Sequence, residues 1–110
     1  MRLKNLFSSI PESRAEEILE TLLQGQGFTL ERIVSTGQAT PSGEWYDQDR
    51  EEWVILLRGS AGLRFEEDPE IQVMRPGDYV HITAHCRHRV EWTDRQQPTL
   101  WLALHYQPCS

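Results

Sequence analysis

The chain has 110 residues, 38% of them hydrophobic and 25% charged, which is typical of one soluble globular domain with a modest core. Its net charge of −6 argues against a nucleic-acid or anionic-membrane partner, because binding to phosphates needs a basic surface. No apolar run approaches a membrane span, the N-terminus lacks the apolar core of a secretion signal, and Cys86 and Cys109 make no disulfide framework, so we expect a cytoplasmic protein.

Residues 9–27 are predicted to form an amphipathic helix. Ala15, Ile18, Leu19 and Leu22 follow the i, i+3, i+4, i+7 spacing of one apolar stripe. This spacing turns three glutamates to solvent: Glu16, Glu17 and Glu20. Gly25 and Gly27 would end the helix. We therefore expect a helical extension over residues 1–27 that packs on the remaining domain, residues 28–110, or on a second subunit.

From residue 28 onward the hydrophobic period changes from helical to two. Short segments rich in β-branched and aromatic residues alternate with Gly, Pro, Asp and Ser turns. The predicted strands are Thr29–Val34, Trp45–Gln48, Glu52–Arg58, Gly62–Glu66, Ile71–Met74, Asp78–Thr83, Arg89–Trp92 and Thr99–Tyr106. Strands of this length with no helices among them predict an all-β antiparallel sandwich or barrel.

Two of these strands are apolar on both faces. In the last one Leu100, Leu102 and Leu104 alternate with Trp101 and Ala103, and residues 53–57 form a continuous apolar run. One face can fill the barrel, so the other needs a cover, which the helix or a homodimer interface would supply.

Two motifs in this region resemble those of the cupin superfamily, from about residue 28 to residue 106. The first motif of that family ends in a glutamate, six residues and a glycine, which Glu52 and Gly59 match. In the second motif Gly77 is the opening glycine and His88 stands at the histidine position. Three residues of this chain replace the proline, second glycine and asparagine of that motif: Thr83, His85 and Trp92. The resemblance implies a cupin-type double-stranded β-helix, a jelly-roll barrel.

The resemblance also implies a divalent metal in the barrel, although the first-motif histidines are replaced. The family's paired histidines would fall on Tyr46 and Gln48, or on Trp45 and Asp47. The remaining donors suggest a site built from Gln48, Glu52, His85 and His88, with Asp47 as the alternative to Gln48. Such a set suits Fe(II), Mn(II), Ni(II) or Zn(II).

Other interpretations of these residues stay open. Glu52 can be a solvated charge, and His85 can simply bond to backbone carbonyls. His81 and His105 alternate with apolar neighbours, so structural roles are expected for them. If Tyr46 faces inward, its hydroxyl can orient a ligand or act as a proton donor, which makes it the candidate catalytic residue.

Two classes of function follow. The first is a small metal-dependent enzyme that acts on a small oxygenated metabolite with dioxygenase, isomerase or decarboxylase chemistry. The alternative is a non-catalytic small-ligand or metal-binding protein that senses or modulates a partner. A purely structural dimer is a third interpretation. In each of the first two cases the expected partners are a small molecule and a second copy of the chain.

Overall fold

The computed structural model describes residues 1–108, which form eight strands and no helix. Cys109 lies outside the described residues. The strands are β1 (Ile18–Gly25), β2 (Phe28–Ser35), β3 (Glu51–Arg58), β4 (Ala61–Phe65), β5 (Gln72–Met74), β6 (Tyr79–Ile82), β7 (His88–Thr93) and β8 (Thr99–Tyr106). No helix able to cross a membrane occurs in this part of the chain.

The strands form two antiparallel sheets, which confirms the predicted all-β architecture. One sheet has five strands in the order β1-β2-β8-β3-β6, and the other has three in the order β5-β4-β7. Seven of the predicted strands are present with ends within one residue of the prediction. The strand predicted at Trp45–Gln48 is wrong, because only Tyr46 pairs there, in an isolated bridge to His88.

The core lies between the two sheets and is built from alternate residues of their central strands. Val54 and Leu56 of β3 face the core beside Trp101 and Ala103 of β8. Leu63 of β4 meets them from the opposite sheet. The register brings Val54 opposite Ala103 and Leu56 opposite Trp101, so β3 and β8 present one continuous apolar face to the core.

The helix predicted over residues 9–27 is wrong. Residues Ile18–Gly25 form strand β1, which pairs with the edge of β2 through a hairpin whose two-residue connection, Gln26-Gly27, uses the positive φ of 77° at Gly27. The register shifts between Thr21 and Leu23, so a bulge at Leu22 interrupts the alternation of period two. This interruption gives the leucines of β1 a spacing that resembles a helical stripe.

Candidate functional site

A cavity of about 350 Å³ opens between the two sheets. Its volume lies in the range of small-molecule sites. Its apolar walls come from both sheets: Ile33, Val54, Leu63, Ile82, Val90 and Trp101. Its polar lining consists of Glu16, Glu17, Glu31, Gln38, Thr40, Tyr46, Gln48, Glu52, His88 and His105. The cavity therefore joins an apolar floor to a group of ionisable side chains.

His88 and Glu52 face each other across this cavity. His88 opens β7 and is 5% exposed, while Glu52 lies on the inner face of β3 and is 8% exposed. His88 Nδ1 lies 2.9 Å from the carbonyl oxygen of Cys86. Because a carbonyl only accepts, Nδ1 carries a proton, and whenever the ring is neutral its lone pair lies on Nε2. That Nε2 lies 3.7 Å from Glu52 Oε1, too far for a direct hydrogen bond.

A second imidazole–carboxylate pair lies beside the first. Nε2 of His105 is 3.1 Å from Oε1 of Glu31, and their side chains are 12% and 18% exposed. His105 stands opposite Glu52 in the register of β3 and β8, so the two pairs share one wall. The sequence analysis expected a structural role for His105 and did not consider Glu31. The sequence did contain a signal for His105. It alternates with the same period of two as Trp101 and Ala103, which face inward.

Tyr46 closes the cavity next to His88. The two residues exchange backbone hydrogen bonds of 2.7 and 3.1 Å, and their ring centres are 5.4 Å apart. Burial is the main cause that raises the pKa of Tyr46, and the negative charge of Glu17 adds to it. The phenol therefore keeps its proton at neutral pH and can donate a hydrogen bond to a ligand.

Of the four predicted metal ligands, the structure brings three to the cavity and leaves one outside its lining. Gln48, Glu52 and His88 line the cavity. His85 adopts a positive φ of 62°, and its ring, 69% exposed, bonds to the Asp47 carboxylate at 2.9 Å. Asp47 is thus held by His85, and of the two alternatives Gln48 lines the cavity whereas Asp47 does not.

The residues present do not complete a firmly held metal site. Transition-metal sites in proteins use at least three side-chain ligands, mostly imidazole, carboxylate and thiolate. Within residues 1–108 no group of three or more His, Cys, Asp or Glu side chains is close enough to hold an ion. His88 and Glu52 supply two donors, and the amide of Gln48 is a weak third.

One wall of the cavity comes from the segment that precedes β1. The carboxylate of Glu17 accepts a 2.5 Å hydrogen bond from the hydroxyl of Ser35, which in turn accepts the indole N–H of Trp101 at 3.0 Å. Gln38 donates to the carbonyl of Arg14 at 2.8 Å. These bonds hold the segment against the barrel. Glu16 and Glu17, expected on the solvent side of a helix, therefore line the cavity.

Comparisons with known proteins agree with this architecture. The crystal structure of a protein from Ralstonia eutropha JMP134, described as a "putative mannose-6-phosphate isomerase", is 49% identical, covers 98% of this chain and 100% of its own, and superposes with a TM-score of 0.95. A cupin superfamily protein from Desulfitobacterium hafniense DCB-2 is 15% identical, with a TM-score of 0.76 over 98% of this chain and 94% of its own.

A third similar structure is described as having the double-stranded β-helix fold. It is an RmlC-like cupin with a double-stranded β-helix from Methanocaldococcus jannaschii, 15% identical, with a TM-score of 0.69 over 86% of this chain and 83% of its own. Comparison with curated protein sequences returned no match. The sequence profile of the Cupin domain matches residues 33–105, which include the whole barrel from β3 to β7. The chain therefore belongs to the cupin family, as its motifs and its double-stranded β-helix predict.

Proposed function

We propose that this protein is an isomerase that moves a proton within a small hydroxy-carbonyl compound bound in the cavity. The observation that carries the proposal is the state of His88, a buried imidazole whose Nδ1–H is fixed by a carbonyl and whose Nε2 lone pair faces Glu52 and the cavity. An imidazole held in one tautomer beside a carboxylate is a suitable general base.

The proposed reaction transfers a proton between neighbouring carbons. Nε2 of His88 takes a proton from the carbon next to the carbonyl, and the carboxylate of Glu52 stabilises the imidazolium that forms. The electrons of the C–H bond form the new C=C bond of an enediolate, the π electrons of the carbonyl move to its oxygen, and Tyr46 donates a hydrogen bond to this oxygen. His88 then returns the proton to the former carbonyl carbon, and His105 with Glu31 passes the hydroxyl proton between the oxygens. No atom or electron is gained overall.

The 49% identical protein from Ralstonia eutropha supports the reaction class, because it is described as an isomerase. Its similarity extends over the full length of both chains. For this chain the reaction class remains our proposal, and non-catalytic ligand binding is the alternative that the experiment separates.

The test is proton exchange with solvent. Wild-type protein in D₂O should incorporate deuterium at the carbon next to the carbonyl of aldoses or hydroxyketones, detected by NMR. His88→Gln should lower the rate by roughly 10²–10⁴-fold, since a general base is lost. His85→Gln is the matched control and should keep the rate, because the His85 ring contacts Asp47 outside the cavity lining. Ligand binding without exchange would reject catalysis, and equal rates in both variants would reject His88 as the general base.

A bound divalent metal is the second candidate. The bond from His88 Nδ1–H to a carbonyl is the arrangement that usually orients a metal-binding imidazole, and Glu52 lies on its open side. Elemental analysis of untagged protein tests it. A near-stoichiometric metal that is lost in His88→Ala and retained in His85→Ala supports a site at His88 and Glu52. Metal-free wild-type protein, or equal content in both variants, rejects it.

A further inference from the structure

We infer that the substrate is an uncharged polyhydroxy carbonyl compound and not a phosphate ester. The inference rests on the proposed function and concerns the same cavity. Of the ionisable side chains that line this cavity, four are glutamates, two are histidines, one is a tyrosine, and none is lysine or arginine. The glutamates are Glu16, Glu17, Glu31 and Glu52.

This charge balance disfavours an anionic ligand in any protonation state of the imidazoles. If His88 and His105 are both neutral, the four carboxylates act alone; if both are protonated, two negative charges remain uncompensated. The apolar walls lower the local dielectric response and strengthen the repulsion of a phosphate dianion. Phosphate groups are normally held by arginine, lysine or a helix N-terminus. The cavity lining supplies none of these.

Two arginines that flank lining residues on β2 and β7 already make other contacts. Arg89 donates to the carbonyls of Thr40 and Glu44, both at 2.9 Å, and its Nε lies 2.9 Å from Glu91. Arg32 binds Glu20 at 3.0 Å and the carbonyl of Leu6 at 2.9 Å. Neither residue lines the cavity, so neither guanidinium is available to a ligand phosphate without breaking these contacts.

The polar groups that remain suit hydroxyl groups. Carboxylates accept hydrogen bonds from hydroxyls, while Gln48 and the protonated phenol of Tyr46 supply donors. The indole of Trp101 adds an apolar surface on one side of the same space. A compound that carries several hydroxyls and a carbonyl can therefore satisfy this lining without introducing a charge.

The test compares mannose with mannose 6-phosphate, using the ring resonances of the histidines as readout. Mannose should shift the His88 and His105 signals saturably, and mannose 6-phosphate should bind at least about tenfold more weakly, given its double charge beside the carboxylates. In a Glu16→Gln/Glu17→Gln variant this difference should shrink by on the order of tenfold or more. Glu67→Gln/Glu70→Gln, at two exposed glutamates outside the lining, is the charge-matched control and should leave the difference unchanged.

The outcomes separate this inference from the proposed function. Mannose that shifts both histidines but exchanges no deuterium supports the ligand class and rejects the isomerase. The inference is overturned if the phosphate ester binds as tightly as mannose, or if mannose leaves both histidine signals unchanged. If the phosphate ester does bind, Arg14→Ala tests whether Arg14 is the cause, since Arg14 directly precedes the cavity-lining residues 15–17. Loss of ester binding in that variant would show that an arginine serves the cavity, against the inference.

Discussion

At His88 the backbone and the side chain are fixed by different bonds. Its N–H and carbonyl both pair with Tyr46, and its ring is oriented by the Cys86 carbonyl. Substitution of the imidazole leaves the two backbone bonds intact, so His88→Gln should fold. We therefore expect this variant to lose proton transfer, because the proton-accepting nitrogen is removed while the strand stays paired.

Tyr46 gives a pH-dependent prediction at the residue scale. Since its pKa in the folded protein lies above the ordinary value of 10.0, the folded state holds the proton where the unfolded chain has lost it. This contribution to the free energy of unfolding is complete below the unfolded pKa and is lost as pH rises through the folded pKa. Above about pH 10, wild-type protein should lose stability more steeply than Tyr46→Phe.

Urea unfolding at a series of pH values measures this difference. Tyr79→Phe is the control, because Tyr79 is 64% exposed and lies outside the cavity lining. It should follow the wild-type curve. Parallel curves for wild-type protein and Tyr46→Phe would contradict a raised pKa at Tyr46.

Only part of the candidate site was predictable from single residues. Glu52 and His88 follow from motif spacing, which is local along the chain, and both line the cavity. Glu31 and His105 meet through the pairing of β2 with β8, a contact between residues far apart in sequence. The position of His85 depends on its positive φ of 62°, which turns it toward Asp47, and such a backbone state is uncommon for a non-glycine residue.

At the scale of elements, β1 shows how tertiary pairing overrides a local pattern. The leucines of residues 18–25 carry a helical spacing, yet the unpaired edge of β2 offers a row of backbone hydrogen bonds that only a strand can use. The strands of the barrel centre were predictable because buried faces enforce a period of two. At the sheet edge, seven of the eight residues of β1 are exposed, and that constraint is weak.

The β3–β4 turn yields a prediction from its glycine. Gly59 has a φ of +87°, and a Cβ there would meet the Thr99 backbone at 2.7 Å and the Pro98 carbonyl oxygen at 2.9 Å. Gly59→Ala should therefore lower the free energy of unfolding by about 2–5 kcal/mol, the sum of left-handed strain and overpacking against backbone. Urea unfolding measures the change.

Gly77 supplies the matched comparison for this prediction. Its φ is +95°, but a Cβ there would have no atom within 4 Å. Gly77→Ala should consequently cost only the conformational part, about 1–2 kcal/mol. Equal destabilisation in the two variants would mean that the close approach of the β3–β4 turn to Thr99 adds nothing.

For the whole molecule, the distribution of exposed apolar side chains is uneven. Among residues 1–108, six of the eleven large hydrophobic residues that are exposed lie within the first 23. They are Met1, Leu3, Phe7, Leu19, Leu22 and Leu23. The same part of the chain includes β1, the edge of the five-stranded sheet, whose outer side has no strand partner among the described residues. An edge strand beside an apolar surface is a typical site of pairing between chains.

We propose that two copies of the chain associate through this surface as a homodimer. Leu23 tests the proposal, because it is 57% exposed and stands opposite Leu30. Leu23→Glu should weaken association by on the order of 10–100-fold, since it places a charge in an apolar interface. Ile71→Glu introduces the same charge at a 46% exposed position beside β5, in the other sheet, and should leave association unchanged.

Sedimentation velocity at several protein concentrations distinguishes these cases. Wild-type protein and Ile71→Glu should sediment as dimers at concentrations where Leu23→Glu is monomeric. A monomeric wild-type protein would reject the dimer, and equal dissociation of both variants would place the interface elsewhere. Residues 15–17 line the cavity and lead directly into β1. We therefore expect dissociation of the dimer to weaken mannose binding as well. Mannose affinity that is the same in the monomeric variant and the dimer would show that the barrel completes its site alone.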